Sequence, residues 1–431
     1  MVDALASWDL GAWVAAALTA LVSPSLILRY RKPSVPVWCY MAFFSFLAVA
    51  SGLIPVEQVP QAIDLEVILF LIGMFSIVSL AESSGLLDLL AWKVMGRPKT
   101  VYSLLLLYSL TLGLLASIAM NDTMAVMGPP IAYSLSRVTG IDLEALILLL
   151  AFSITIGSTM TPVGNPQNVL IAVQSGMRAP LTTFLRFLLA PTILNLALTT
   201  VIVAKLYNVK NGKVDVKMEP REFARSRDAY VASAALAAVI LALLLNDTLA
   251  LLNLPHTEHI GVVPFVVAAG ALPFARRPRE VIKSVDWGTI IFFTTMFITM
   301  KAIWNSGVLY TPLKAVSPLN TDPLANTLQV TLASLLFSQL LSNVPFVKLY
   351  IDYLHTLGNT HLGNREWIAL AMSSTIAGNL TLLGAASNII ILEAVESRYG
   401  RTISPLKFMK AGAIVTALNT LVYLPFLTLL N

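Results

Sequence analysis

Ten apolar segments, starting near Gly11, Pro36, Ile63, Leu143, Thr182, Tyr230, Glu258, Val285, Trp367 and Pro405, each run for roughly 20 residues, the length an α-helix needs to cross a hydrocarbon core. Lipid cannot satisfy a bare N–H or C=O, so a chain of such segments folds as an all-α polytopic membrane protein. Its charged content, 12% beside 57% hydrophobic residues, is far from the roughly 25% of a soluble domain. The first segment follows Asp3 and Asp9 rather than basic residues, and so reads as a span and not a cleaved leader.

Two further apolar regions, 101–137 and 324–355, carry polar breaks at Asn121-Asp122-Thr123 and Ser342-Asn343-Val344-Pro345. They read as re-entrant helical hairpins. If each enters and leaves on one side, 22 of the 28 Lys and Arg fall on one face, in the groups Arg29–Lys32, Lys93–Lys99, Arg137, Lys205–Arg227, Arg276–Lys283 and Arg398–Lys410. By the positive-inside rule that face is cytoplasmic. Both termini are then extracytoplasmic in a plasma or inner membrane, and 207–228 is a cytoplasmic linker between halves 1–206 and 229–431.

The halves are related in sequence. A shift of 222 places Asp64, Ile68, Phe70, Met74, Phe75, Ser84 and Gly85 on Asp286, Ile290, Phe292, Met296, Phe297, Ser306 and Gly307, seven identities in 22 positions where composition alone gives about two. It also sets Asn121 on Asn343. A shift of 220 superposes Ser153, Thr155, Ile156, Thr161, Gly164 and Asn168 on Ser373, Thr375, Ile376, Thr381, Gly384 and Asn388. Five spans per half is an odd number, so the second repeat is inserted upside down. Inverted repeats meeting at a midplane site are a recurring plan of secondary transporters; a channel is the competing use of that plan.

Broken backbone at membrane depth must be buried in protein or line a wet cavity. In Thr161 to Asn168 two prolines and a glycine free carbonyls on one side of the break and N–H groups on the other. Thr381 to Asn388 lacks proline, so a less unwound break is expected there. The candidate substrate site is therefore Asn121, Thr123, Thr161, Gly164, Asn165 and Asn168 with Ser342, Asn343, Thr381, Gly384, Ser387 and Asn388. Each of these could instead serve as interhelical glue, but four breaks at symmetry-related places favour a site.

Asp122 is the sharpest single residue. An acid near the bilayer centre costs roughly 2.5–3.5 kcal/mol, and no basic residue lies between Val101 and Ser136. It either carries H+ or Na+, with Na+ held near Asn121, Asp122 and Gly164, or caps the second limb of its hairpin. Lys348 is the candidate counter-charge. An ionised Asp122 would repel a dianion unless a cation intervened; a neutral hydroxylated solute, or a monoanion with a coupling ion, fits better.

Other classes find little support. Cys39 and the histidines at 256, 259, 355 and 361 have no metal-ligand spacing, so no metal site is expected and no cofactor beyond the coupling ion. No H-E-x-x-H or G-x-S-x-G occurs, which argues against an enzyme. The basic residues are accounted for by topology, leaving no case for nucleic acid.

With Asn121-Asp122, the Gly-Asn-Pro-Gln-Asn core of 164–168, Ser342-Asn343-Val344-Pro345 and Gly384 to Asn388, the whole chain resembles the ion transporter superfamily, most closely its arsenite/antimonite permease-like branch of anion permeases. The resemblance implies an elevator-type carrier, whose hairpins and broken helices move against a scaffold that usually dimerises, so a homodimer is expected. It implies a small inorganic or organic anion, oxyanion or neutral oxyacid as substrate. A sodium/proton antiporter and a di- or tricarboxylate symporter are the alternatives among its relatives.

Overall fold

The computed structural model describes residues 10–31, 35–214, 227–315, 322–357, 363–401 and 403–429. Residues 215–226 of the expected linker, with Lys217, Arg221 and Arg225, lie outside the described residues, as do Asp3, Asp9, Lys32 and His361.

The first half runs α1 (Leu10–Arg31), α2 (Val37–Ala50), α3 (Leu65–Ser83), α4 (Leu86–Met95), α5 (Val101–Ala119), α6 (Asn121–Thr139), α7 (Leu143–Gly157), α8 (Pro166–Gln174) and α9 (Pro180–Leu206). The second repeats that order as α10 (Arg227–Leu251), α11 (Val262–Ala271), α12 (Trp287–Asn305), α13 (Tyr310–Ala315), α14 (Pro323–Leu341), α15 (Asn343–Thr356), α16 (Asn364–Ile376), α17 (Ala386–Tyr399) and α18 (Pro405–Leu429). The hairpins are α5–α6 and α14–α15, and the broken helices are α7–α8 and α16–α17.

Eight helices among the described residues are long and apolar enough to cross a membrane. They are α3, α5, α7 extended to Met160, α9, α10, α12, α14 and α18, which differs from the ten segments expected. The segments near Gly11, Pro36 and Glu258 give shorter apolar helices, and α16 stops after 13 residues, where its break begins. The first limb of each hairpin has 19 residues, enough to span, because the polar break terminates the helix only at its far end.

Backbone details recur between the halves. Asp64 and Asp286 cap α3 and α12 by accepting from Val67 N and Thr289 N at 3.1 and 3.0 Å. Gly85 and Gly307, at φ 71° and 72°, provide the left-handed residue that turns each of these helices into α4 or α13. The start of α3 is fixed by Glu66, which accepts from Gly261 N at 2.9 Å just before α11; near its end Ser79 donates to Val281 O at 2.9 Å. The chain therefore travels the length of α3 between these points, and α12 begins at the end where α3 finishes.

Packing sorts the helices into two bundles. In one, α3 packs on α10 and α11, and α2 on α12 and α1; in the other, α5 to α9 pack with α14 to α18. Within the second bundle the repeats interlock: α8 lies against α15, and α17 against α6, where Tyr133 and Tyr399 stack with centroids 4.0 Å apart. Its centre is α7, buried from Ala145 to Gly157. The other Asn-Asp-Thr tripeptide is structural: Asp247 accepts from Thr182 N at 2.6 Å at the start of α9, and Asn246 brackets Thr257.

Candidate functional site

Each hairpin turns on a single residue in a sparsely populated backbone region, Met120 at φ 66°, ψ 144° and Ser342 at φ 68°, ψ 158°. For a residue with a Cβ that conformation costs of order 1–3 kcal/mol and persists only where its surroundings enforce it. It lets the second limb start at once, with Asn121 or Asn343 as its first residue. Both asparagines are buried, and the Oδ1 of each has no hydrogen-bond partner among the described residues.

The breaks match in backbone too. Thr161 and Thr381 leave the helix at φ −137°, ψ 154° and φ −136°, ψ 155°, so the second break is as unwound as the first, contrary to the expectation drawn from its lack of proline. Asparagine explains this. Asn168 Nδ2 donates to the carbonyls of Ser158 and Thr161 at 3.1 and 3.0 Å; Asn388 Nδ2 donates to those of Gly378 and Thr381, the equivalent positions, at 2.7 and 3.3 Å. The amide satisfies the carbonyls that the break frees, which is the requirement that matters in a dry interior. Proline sets the first helix restart but is not needed to keep it open.

Glycine is demanded where the first break folds back and closely accommodated where the second does. A Cβ on Gly164 would lie 2.2 Å from Ser158 O, and one on Gly384 3.0 Å from Ala377 O. Each break is also tied to its own hairpin: Thr161 Oγ1 donates to Ser117 O at 2.5 Å, and Thr381 Oγ1 to Gln339 Oε1 at 3.0 Å. Ser117 and Gln339 occupy equivalent positions on α5 and α14.

Between the bundles lies a cavity of about 330 Å³, within the range of small-molecule sites. One wall comes from the tips and restarts: Asn121 and Asp122 of α6, Pro166 and Gln167 of α8, Ser342 to Val344 at the start of α15, and Gly384 to Ala386 at the start of α17. The other comes from Pro36 to Trp38 and from Asp286, Gly288, Thr289, Phe292 and Phe293. The cavity reaches the surface at the end where Asp286 is exposed.

Four helix N-termini thus converge on one space. The N-cap residues of α6, α15 and α17, Met120, Ser342 and Ala385, make no side-chain cap bond, so first-turn N–H groups can serve a ligand, and each end carries about half a positive charge. Two carboxylates, Asp122 and Asp286, line the same cavity, and no Lys, Arg or His does so among the described residues.

Of the residues singled out from sequence, Asn121, Asp122, Ser342, Asn343 and Gly384 line the cavity. Thr161, Gly164, Asn165, Asn168, Thr381 and Asn388 stand behind it and hold the breaks open; Thr123 and Ser387 are buried and do not line it. Asp122 sits half-buried in the first turn of α6, whose N-cap residue is Met120, so it is not the cap. Lys348 is not its counter-charge: Lys348 Nζ pairs with Asp352 Oδ1 at 2.5 Å.

Sequence reading missed Trp38 and Thr289, which have no motif, Asp286, which appears in the repeat alignment only as the match of Asp64, and Gln339, which replaces the serine of the first repeat. It also missed Thr375, which lay in plain view in the repeat alignment. Its hydroxyl accepts from Asn165 Nδ2 and Gln167 Nε2 at 3.2 and 3.4 Å and donates to Asn168 Oδ1 at 3.3 Å, joining the break of one half to the helix of the other.

A family model described as citrate transporter matches residues 4–373. An uncharacterized transporter of Mycobacterium tuberculosis is 26% identical over 375 residues, which cover 83% of this chain and 84% of that protein. The silicon efflux transporter LSI3 of rice, Oryza sativa subsp. japonica, is 24% identical over 427 residues, covering 80% and 82% of the two chains. The fold is similar to that of the Alcanivorax borkumensis YdaH transporter, with a TM-score of 0.56 and 15% identity over 91% of this chain and 97% of that one. The chain is therefore a multi-pass membrane transporter, and it belongs to the citrate transporter family.

Proposed function

We propose that this transporter carries a small hydroxylated oxyacid, neutral or singly charged, and couples its movement to H+ or Na+ at Asp122. The observation that supports this reading is the cavity's charge pattern. Its helix N-termini together offer roughly two positive charges, against two carboxylates and no basic side chain among the described lining residues. A polyanion is not compensated there, whereas a solute with several hydroxyl or oxo groups finds both donors and acceptors. The N–H groups face its oxygens; the orphaned Oδ1 atoms of Asn121 and Asn343 accept from its hydroxyls or help hold the coupling cation. Arsenous and silicic acids have this chemistry, and a rice relative is named for silicon efflux. Citrate, named by the family description, would have to arrive with its charge neutralised by a cation.

The bundle of hairpins and broken helices then moves against the α2–α3–α12 bundle, so that one site faces each side in turn. The positive-inside count puts the Asp286 end in the cytoplasm. Purified protein in liposomes, loaded in turn with arsenite, silicic acid, phosphate and citrate, with and without Na+ and a pH gradient, tests the reading. Saturable counterflow of arsenite or silicic acid supports it. Counterflow of free citrate alone would overturn the substrate class, and Na+-driven pH jumps with no solute present would make the protein a sodium/proton antiporter.

A further inference from the structure

At the end of the molecule away from the cavity mouth, charged and polar groups are buried where an apolar contact would have sufficed. Lys348 and Asp352, one turn apart on α15, have side chains only 10% and 14% exposed. Asp352 Oδ2 has no partner among the described residues. A local ion pair like this is weak evidence for stability, because desolvating two charges offsets most of their attraction. A lysine on a helix would ordinarily extend its head to water.

What Lys348 reaches instead is Gln174, the last residue of α8. Its Nζ donates to Gln174 Oε1 at 3.4 Å, while Gln174 Nε2 donates to Asp64 Oδ2 at 2.6 Å. The Gln174 carbonyl also meets His355 Nε2 at 3.0 Å. Asp64 Oδ1 is occupied in capping α3, so its second oxygen is the one available to Gln174. The chain Lys348–Gln174–Asp64 therefore runs from the second hairpin, through the first broken helix, to the opposite bundle. Other links at this end, Asp247 to Thr182 N and Arg178 to Asn253, hold the start of α9 rather than a hairpin.

The repeat shows what is special here. The equivalent of Asp64 is Asp286, whose Oδ2, among the described residues, takes its own helix's Thr289 hydroxyl, at 2.6 Å; the equivalent of Gln174 is Ala394, which can make no such bond. At that end the bundles part and the cavity opens. Likewise Thr289, which lines the open cavity, corresponds to Val67, which is wholly buried.

We propose that Gln174, gripped between Asp64 and Lys348, is a positioning residue for transport. It latches the site shut on the Asp64 side, and its release lets the bundles part there while they close beside Asp286. This rests on the two-sided carrier reading above.

Two reporters in a Cys39→Ser background test it, Thr289→Cys and Val67→Cys, each labelled with a water-soluble maleimide. In the latched protein Thr289→Cys labels and Val67→Cys does not. Adding Gln174→Ala should speed labelling at 67 by up to about tenfold, the equivalent of one hydrogen bond to a charged group, and slow it at 289 by a smaller factor, because a tenfold shift out of the dominant state depletes that state only slightly. The double variant Asp64→Asn/Gln174→Glu keeps a donor for position 174 and a partner for Lys348, and should restore the original pattern. Unchanged rates, equal gains at both positions, or no rescue would each overturn the latch. The carrier reading fails separately, if the unmodified protein shows no saturable counterflow.

Discussion

Asn165 and Thr375 belong to different halves of the chain, yet the Asn165 amide donates to the Thr375 hydroxyl at 3.2 Å in the buried centre of the molecule. With Asn168 and Gln167 on the same hydroxyl, this is where the repeats are fastened, directly behind the cavity. Thr375→Val keeps the shape and removes the hydroxyl, taking away the partner of Asn168 Oδ1 and Gln167 Nε2 while Asn165 keeps Ser158, at about 1–3 kcal/mol. Thermal unfolding in detergent should show a clear loss for Val and little for Ser.

Asn168 and Asn388 allow the two breaks to be compared. Asn168 Nδ2 serves the carbonyls of Ser158, Thr159 and Thr161, and Asn388 Nδ2 those of Gly378 and Thr381. Replacement by Leu should destabilise both, by about 2 kcal/mol or more, and more at 168, where more carbonyls are orphaned. Equal shifts in melting temperature would contradict this ranking.

Gly164→Ala forces a Cβ to 2.2 Å from Ser158 O, while Gly384→Ala needs only a few tenths of an ångström of movement at 3.0 Å from Ala377 O. The first should fail to yield folded protein by size-exclusion chromatography. The second should fold, with solute affinity reduced because Gly384 lines the cavity.

Asp122→Asn removes the charge and keeps the size. Counterflow of solute at equal concentrations should persist, while accumulation driven by a pH or Na+ gradient is lost. Gradient-driven accumulation at the unmodified level would take the coupling role away from Asp122.

The helices, the hairpins and both tips were legible because each depends on local signals, apolar length and polar interruption. The second break reads as less unwound in the sequence because proline is a visible helix breaker and an asparagine side chain reaching back several residues is not. The far wall was illegible for a different reason. Trp38 and Thr289 have no unusual chemistry of their own and matter only because the other bundle lies opposite. Lys348 and Asp122 each looked in need of a partner, and pairing them was reasonable by charge; the i,i+4 spacing of Lys348 to Asp352 was the better guide.

The interlocking of α8 with α15 also bears on biogenesis. Gln174 waits for His355, 181 residues later in the chain, which at about 5–20 residues per second is on the order of 10–35 seconds of synthesis. Through that interval the first break enters the membrane without the helices that will bury it, its carbonyls satisfied mainly by Asn168. A nascent chain halted after the first half should therefore be a preferred substrate for membrane quality control, and the internal amide is what allows it to survive until its other half arrives.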